Sequence, residues 1–194
     1  MAPEHDTFNF LHETRDLMIL RRFPTIRGLQ NESVAEHSYY TSLYALLLAD
    51  MEVESGKTVD YAKLLRMCLI HDIAEVRISD IPRPVKHANP RVNEEMDILA
   101  EQAYSSLVRS LPSFSSERFM KSWRDMRSRT FESKLYKAAD LLEALVWVVE
   151  EDLMGRRNAK RLGVAEQLVQ EITKIGLPSA NKIAFDLLSE VNKP

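Results

Sequence analysis

The sequence predicts an all-α fold, a bundle of about seven or eight helices, on three observations. Apolar residues recur at three- and four-residue spacing along most of the chain. Only 5 glycines and 8 prolines punctuate 194 residues, too few for a turn-rich all-β protein. No stretch alternates polar and apolar residues as a strand does, and no internal repeat or low-complexity tract is present.

The length fits one domain, residues 1–194, large enough to bury most of the surface its unfolded chain exposes. Apolar residues at 45% and charged residues at 28% are the balance of a globular protein. A net charge of −3 provides neither a basic footprint for nucleic acid nor a polybasic signal for a membrane, so neither is expected as a partner. No apolar run approaches the ~20 residues of a membrane span, and Met1 to Phe10 lacks the apolar segment of a signal peptide. The expectation is a cytoplasmic protein. Cys68 is the single cysteine, so no disulfide framework exists; inside the apolar run from Leu64 to Ile70 it reads as a small buried hydrophobe.

Thr7 to Leu20 reads as a first amphipathic helix with Phe8, Leu11, Met18 and Ile19 on its apolar side. Pro24 closes the Arg21-Arg22-Phe23 segment by excluding Phe23 from helical geometry. In the loop that follows, Arg21, Arg22 and Arg27 form either a phosphate clamp or a solvated connection. Ser33-Val34-Ala35-Glu36 is a capping box, which gives Glu36 a local role. His37 in the first turn then shares a face with Tyr40, Thr41, Tyr44, Leu48 and Met51 and points inward, as a hydrogen-bonded core histidine or as a ligand. Glu52 to Lys57 is a loop, and Asp60 caps a helix over Tyr61 to Ile73.

That helix delivers the stretch on which function turns, Leu69-Ile70-His71-Asp72-Ile73-Ala74-Glu75. On a helix His71, Asp72 and Glu75 share one side. An Asp beside a His at the end of a buried segment is costly unless a cation compensates it, and a divalent metal does so. Arg77 to Asn89, with Pro82 and Pro84, is expected to hold no helix and to form either a pocket wall or a tight connector.

Asn89 caps and Pro90 opens a helix to Leu111, with Val92, Met96, Leu99, Ala103 and Leu107 on one face. Pro112 to Ser116 is a break. Glu117 to Arg129 follows, with Phe119, Trp123 and Met126 as its apolar side. Ser133 to Met154 is the second apolar centre, and Asp140 sits in it between Ala139 and Leu141. A buried carboxylate needs a partner, which is either Lys137 or a metal. Gly155 ends the helix, Arg156 to Arg161 is a basic turn, and Asn158 to Ile175 and Ser179 to Val191 complete the set.

Together His37, His71, Asp72 and Asp140 come from three predicted helices, each on an otherwise apolar face. Two neutral imidazoles and two carboxylates balance a divalent ion and leave room in an octahedral shell for water and substrate oxygens. This donor set suits Mn²⁺, Co²⁺ or Fe²⁺ rather than a closed structural zinc site. Such a metal lowers the pKa of bound water and polarises a phosphoryl oxygen.

The pattern H…HD…D resembles the HD-domain metal-dependent phosphohydrolases, which implies an all-helical HD-domain bundle. Arg22-Phe23-Pro24, Glu32-Ser33-Val34-Ala35-Glu36-His37-Ser38, His71-Asp72-Ile73-Ala74-Glu75-Val76, Asp80-Ile81-Pro82-Arg83-Pro84-Val85-Lys86 and Ala138-Ala139-Asp140 are similar to the bacterial 5′-deoxynucleotidase branch. The likeness covers most of residues 8 to 155, and the remainder matches only as helices.

It implies that His37, His71, Asp72 and Asp140 bind one divalent ion, Co²⁺ or Mn²⁺ first, with Mg²⁺ or Fe²⁺ as further candidates. Arg22 would hold the 5′-phosphate. Glu75 would orient or protonate, Asp80 would contact sugar or attacking water, and Lys86 would assist the phosphate or support the loop. Two departures widen the expected substrates beyond deoxynucleoside monophosphates: Phe23 where Trp is common, and Arg83 between the loop prolines where a small residue is usual. Arg83 adds a cation for a longer phosphate chain, so di- and triphosphates join the expected substrates. Antibiotic pathways use the same branch, oxetanocin-A biosynthesis among them, which adds nucleotide analogues. A homodimer is implied as the assembly. Retained Arg22, Glu75 and Asp80 favour an enzyme over the alternative, a non-catalytic HD module that binds a nucleotide as a sensor.

Overall fold

Side-chain caps set where the helices begin. Asp6, Ser33, Asp60, Asn89 and Thr130 each accept a backbone N–H from the first turn that follows. The computed structural model describes residues 6–86, 88–155 and 163–191. In chain order its helices are α1 (Thr7–Glu13, continuing as a 3₁₀ segment over Thr14–Met18), α2 (Val34–Glu54), α3 (Tyr61–Ile70), α4 (Glu75–Ile78) and α5 (Arg83–Lys86). They continue with α6 (Pro90–Val108), α7 (Ser113–Met126), α8 (Phe131–Leu153), α9 (Val164–Ile175) and α10 (Pro178–Val191). Among the described residues there is no strand, only an isolated antiparallel bridge between Arg21 and Ser33. The expected all-α bundle is what forms.

Two apolar cores share the molecule. The larger joins α2, α3, α8, α9 and α10 around Leu48, Leu64, Leu135, Leu145 and Ile172, all fully buried. The smaller joins the 3₁₀ segment, α6 and α7 around Tyr104, Leu107 and Trp123. Cys68 lies in the first core as a free, buried thiol. Truncating one of the fully buried leucines to Ala costs about 2–5 kcal/mol, so the bundle has stability of its own. Within it α2, α3 and α8 pack pairwise on one another, and the cluster of predicted ligands sits where they meet.

Several boundaries differ from the expectation. The first helix tightens to 3₁₀ after Glu13, which changes the period from 3.6 to 3.0. Met18 and Ile19 therefore face solvent while Leu17 turns inward, and Phe8 and Leu11, in the α-helical part, are exposed as well. α2 runs to Glu54, past the expected loop start. α3 stops at Ile70 rather than Ile73, because the His71 ring nitrogen Nδ1 takes the Cys68 carbonyl at 2.7 Å and the chain turns. One turn of helix, α5, forms in the proline loop: Pro84 falls in the first turn, where its missing N–H is no loss, and the Pro82 carbonyl accepts from Val85 and Lys86.

α6 ends at Val108, and Leu99 stays 39% exposed while Tyr104 and Val108 face inward. α7 begins at Ser113, directly after Pro112, rather than at Glu117. α8 starts two residues early, at Phe131, behind its Thr130 cap. Gly155 closes α8 in a left-handed turn with φ of 92°. The predicted basic turn lies outside the described residues, as does the first part of the helix expected from Asn158. No described helix is long and apolar enough to cross a membrane.

Candidate active site

The capping box that starts α2 is complete: Glu36 N–H donates to the Ser33 hydroxyl, and the Glu36 carboxylate accepts from the Ser33 N–H at 2.8 Å. It sets His37 in the first turn, fully buried. The turn after α3 presents His71 and Asp72, and α8 presents Asp140. Nε2 of His37 lies 3.0 Å from Nε2 of His71 and 3.3 Å from Asp140 Oδ1. Asp72 Oδ2 lies 3.0 Å from the His71 nitrogen and 3.5 Å from that of His37.

The outer ring nitrogens fix the tautomers. His71 Nδ1 meets the Cys68 carbonyl oxygen, which only accepts, so Nδ1 carries the proton. His37 Nδ1 makes a short contact with the Glu143 carboxylate, again as donor. In neutral imidazoles both Nε2 atoms are then bare lone pairs, and they converge with two carboxylate oxygens. Four acceptors brought so close need positive charge between them, either a metal ion or, without one, a proton on His37. The chemistry of the donor set therefore fits a divalent metal. His37, His71 and Asp72 by themselves bring ligand atoms within 4.8 Å of one another.

Asp140 has both of the partners its sequence context offered. Lys137 Nζ lies 2.7 Å from Oδ2, and Oδ1 faces His37. Burial opposes the charge of Asp140, but Lys137 and the two histidines overcome it and hold the carboxyl well below its usual range. Asp72 behaves alike: burial raises it, and His71, His37 and Arg22 pull it down further. On His37 burial and Arg22 press toward neutrality, while Asp140 and Glu143 outweigh them and raise it to about 9.

Arg22 comes from the loop after the 3₁₀ segment, and its Nη1 lies 3.6 Å from Asp72 Oδ2. Phe23 follows in left-handed geometry, φ 51°, stacked on Trp147 at 4.3 Å. Its N–H donates to Asp80 Oδ2 at 3.2 Å, which brings the start of the proline loop to the arginine. Burial raises the Asp80 carboxyl, partly offset by Arg22. Glu75 in α4 is raised well above its usual range by burial and then by Asp72 and Asp80, which favours its protonated form. Lys86 bears on Glu75 as a nearby positive charge.

Arg83 goes elsewhere: its guanidinium pairs with Glu171 of α9 at the surface, 2.5 Å away. Burial pushes the Cys68 thiol up to about 12, which leaves it a poor nucleophile. A cavity of about 320 Å³ lies within the loop that carries Arg22, lined by Arg21, Arg22, Phe23, Pro24, Arg27 and Trp147 and by none of the four predicted ligands. A larger hollow of about 400 Å³ between α6 and α7 contains none of the predicted residues.

Glu143 is the residue the sequence reading missed. Its signal was present: a charged residue three positions after Asp140, on the same face of an apolar helix. Glu32, noted only as part of a motif, is its neighbour. Burial and the proximity of Glu143 raise the Glu32 carboxyl, so that it shares a hydrogen bond with Glu143.

Residues 9–190 match the family model described as 5′-deoxynucleotidase YfbR-like. The chain belongs to this family. The match runs beyond residue 155, where recognisable motifs end, into the last two helices. A 5′-deoxynucleotidase of Photorhabdus laumondii is 32% identical over 150 residues, 77% of this chain and 76% of that protein. Among solved structures, an HD-domain phosphohydrolase of Listeria innocua superposes with a TM-score of 0.83 at 23% identity, covering 95% of this chain and 89% of that one. An HD phosphohydrolase of cyanophage S-2L, described as bound to dA and one catalytic Zn²⁺ ion, superposes at 0.65 with 16% identity over 94% and 96% of the two chains. At such identities the structures show the fold. This chain is thus an enzyme of the 5′-deoxynucleotidase family, with the all-helical fold seen in the HD-domain phosphohydrolases.

Proposed function

We propose that this YfbR-like enzyme removes the 5′-phosphate from nucleoside monophosphates, deoxynucleotides first, at the cluster between α2, α3 and α8. The observation that carries the reading is the convergence of four lone pairs beside a half-buried arginine. His37, His71, Asp72 and Asp140 would hold one divalent ion. When bound, that ion supplies Lewis acidity, lowering the pKa of water and polarising a phosphoryl oxygen.

The chain's own groups do the rest. Arg22, cationic and held beside Asp72, takes the non-bridging oxygens of the phosphate. Glu75, whose burial favours the protonated form, gives its proton to the departing 5′-oxygen of the nucleoside. Asp80 fixes the Phe23 backbone with one oxygen and offers the other to the sugar or the attacking water. Phe23, braced by Trp147, forms an aromatic wall for the sugar. Lys86 adds positive charge near Glu75 and supports the phosphate.

Arg83 was the cation on which longer phosphate chains depended, and its pairing with Glu171 makes the monophosphate the leading substrate. Co²⁺ and Mn²⁺ lead among metals on the donor set, and Zn²⁺ joins the test because the cyanophage relative is described with a catalytic zinc ion. The experiment is phosphate release from a panel of ribo- and deoxyribonucleoside mono-, di- and triphosphates and nucleotide analogues, with each metal and with none. Release from monophosphates only when a divalent ion is added supports the reading. Nucleotide binding without release under any metal would favour a sensor module instead.

A further inference from the structure

One stripe of α8 carries Asp140, Glu143, Trp147 and Glu151, three and four residues apart and so within one helical face. The first two face the ligand cluster. The last two hold the loop of residues 22–32, and Glu151, only 2% exposed, has no part in the reaction as described. We propose that Glu151 is a positioning residue for Arg22, fastening this loop so that the guanidinium is preset for the substrate's phosphate. The inference rests on the reading of Arg22 as the phosphate ligand.

The loop has almost no regular structure of its own to hold it. Its base is closed where Arg22 N–H donates to the Glu32 carbonyl and Val34 N–H to the Leu20 carbonyl, both at 2.9 Å. Its tip is held by one carboxylate. Leu29 N–H donates to the two Glu151 oxygens at 2.7 and 3.0 Å, and Gln30 N–H to Oε1 at 2.8 Å. Between tip and base, Phe23 lies flat on Trp147, one helical turn before Glu151.

The fit along this line is close. A Cβ at Gly28 would come within 2.9 Å of both the Gln30 carbonyl oxygen and the Trp147 ring, and within 3.3 Å of the Glu151 carboxyl carbon. A buried carboxylate is costly on an apolar helix where a leucine would pack as well. Here its charge strengthens two backbone hydrogen bonds that no apolar residue could make. Such a loop pinned at base and tip loses the freedom that would otherwise be lost on binding phosphate.

The test is a double-mutant cycle on the metal-loaded enzyme, reading KM and kcat for a nucleoside 5′-monophosphate. Glu151→Ala is expected to raise KM about ten- to a hundredfold, the scale of hydrogen bonds to a charged acceptor, with a smaller change in kcat. In an Arg22→Ala background the same change should cost almost nothing, because Glu151 acts through Arg22. Glu151→Gln keeps one oxygen for both N–H groups and should recover part of the loss; it also serves if the alanine variant fails to fold. Faster amide exchange at Leu29 and Gln30 in Glu151→Gln should accompany the rise in KM.

Equal factors for Glu151→Ala in the two backgrounds, or an unchanged KM in Glu151→Gln with loosened amides, would overturn the proposal while leaving Arg22 as the phosphate ligand. An Arg22→Ala enzyme with unchanged kcat/KM would overturn that reading and this inference together.

Discussion

The two halves of the site are built in opposite ways. The ligand half is set by helices: His37 in the first turn of α2, His71 and Asp72 in the turn directly after α3, and Asp140 within α8, all placed by the apolar packing of those helices. The phosphate half comes from loops: Arg22 and Phe23 before α2, and Asp80 after α4, held by single hydrogen bonds and one aromatic stack. The difference teaches where strength is needed. Four lone pairs repel one another until a cation arrives, so their scaffold has to be rigid. An arginine meeting a mobile anion needs only to be pinned at a few points.

If the division is right, substitutions in the ligand half should abolish function with little loss of helix. Substitutions in the phosphate half should instead weaken it by degrees. Asp72→Ala should show the largest effect, loss of phosphate release to background with far-ultraviolet circular dichroism almost unchanged, because the two cores do not depend on the cluster. A collapsed spectrum would mean that the helices need the ligands as much as the reverse.

Glu75→Gln comes next, with kcat expected to fall about 10²- to 10⁴-fold, the usual worth of a positioned acid. Its raised pKa gives the sign of the pH effect. The protonated, donating form is lost as pH climbs through the raised value, so activity falls on the basic side. In Glu75→Gln that basic limb should flatten; a variant keeping the wild-type profile would assign the limb to another group.

Arg22→Ala should weaken transition-state binding by about 1.5–3 kcal/mol, the range for hydrogen bonds to a charged group. The loss should appear in kcat/KM, and Arg22→Lys should restore only part of it because a lysine lacks the two-pronged geometry. The smallest effect is expected at Arg83. With its guanidinium on Glu171 and 43% exposed, Arg83→Ala should leave the relative rates on mono-, di- and triphosphate unchanged. A selective fall on the longer substrates would return Arg83 to the pocket.

The same division governed what the sequence could disclose. A histidine or carboxylate on an apolar helical face is conspicuous, so His37, His71, Asp72 and Asp140 stood out as candidates, while the choice between ligation and a core or ion-pair role stayed open until the family resemblance was drawn. Glu143 and Glu151 were just as visible on α8 but carried no metal-ligand spacing, and their partners lie more than 100 positions away, at His37 and Leu29. Phe23, Trp147 and Asp80 belong together for reasons that only folding supplies. Arg83 shows the opposite error: closeness in sequence to Asp80 suggested closeness in space, but the one-turn helix α5 delivers it to Glu171. The first helix was found, yet its buried face was misassigned: at Met18 and Ile19 a pattern counted at 3.6 residues per turn fails where the backbone tightens to 3.0, and Phe8 and Leu11 are exposed on a helix that buries no residue.

The central claim is that the four converging lone pairs hold one divalent ion. Isothermal titration of the metal-free protein with Mn²⁺, repeated on Asp140→Ala and on Lys137→Met, tests it most directly. The account predicts one ion per chain in the wild type, affinity reduced by at least tenfold in Asp140→Ala, and binding retained in Lys137→Met, since Lys137 touches only the outer oxygen of Asp140. Undiminished Mn²⁺ binding in Asp140→Ala, or none in the wild type, would contradict it.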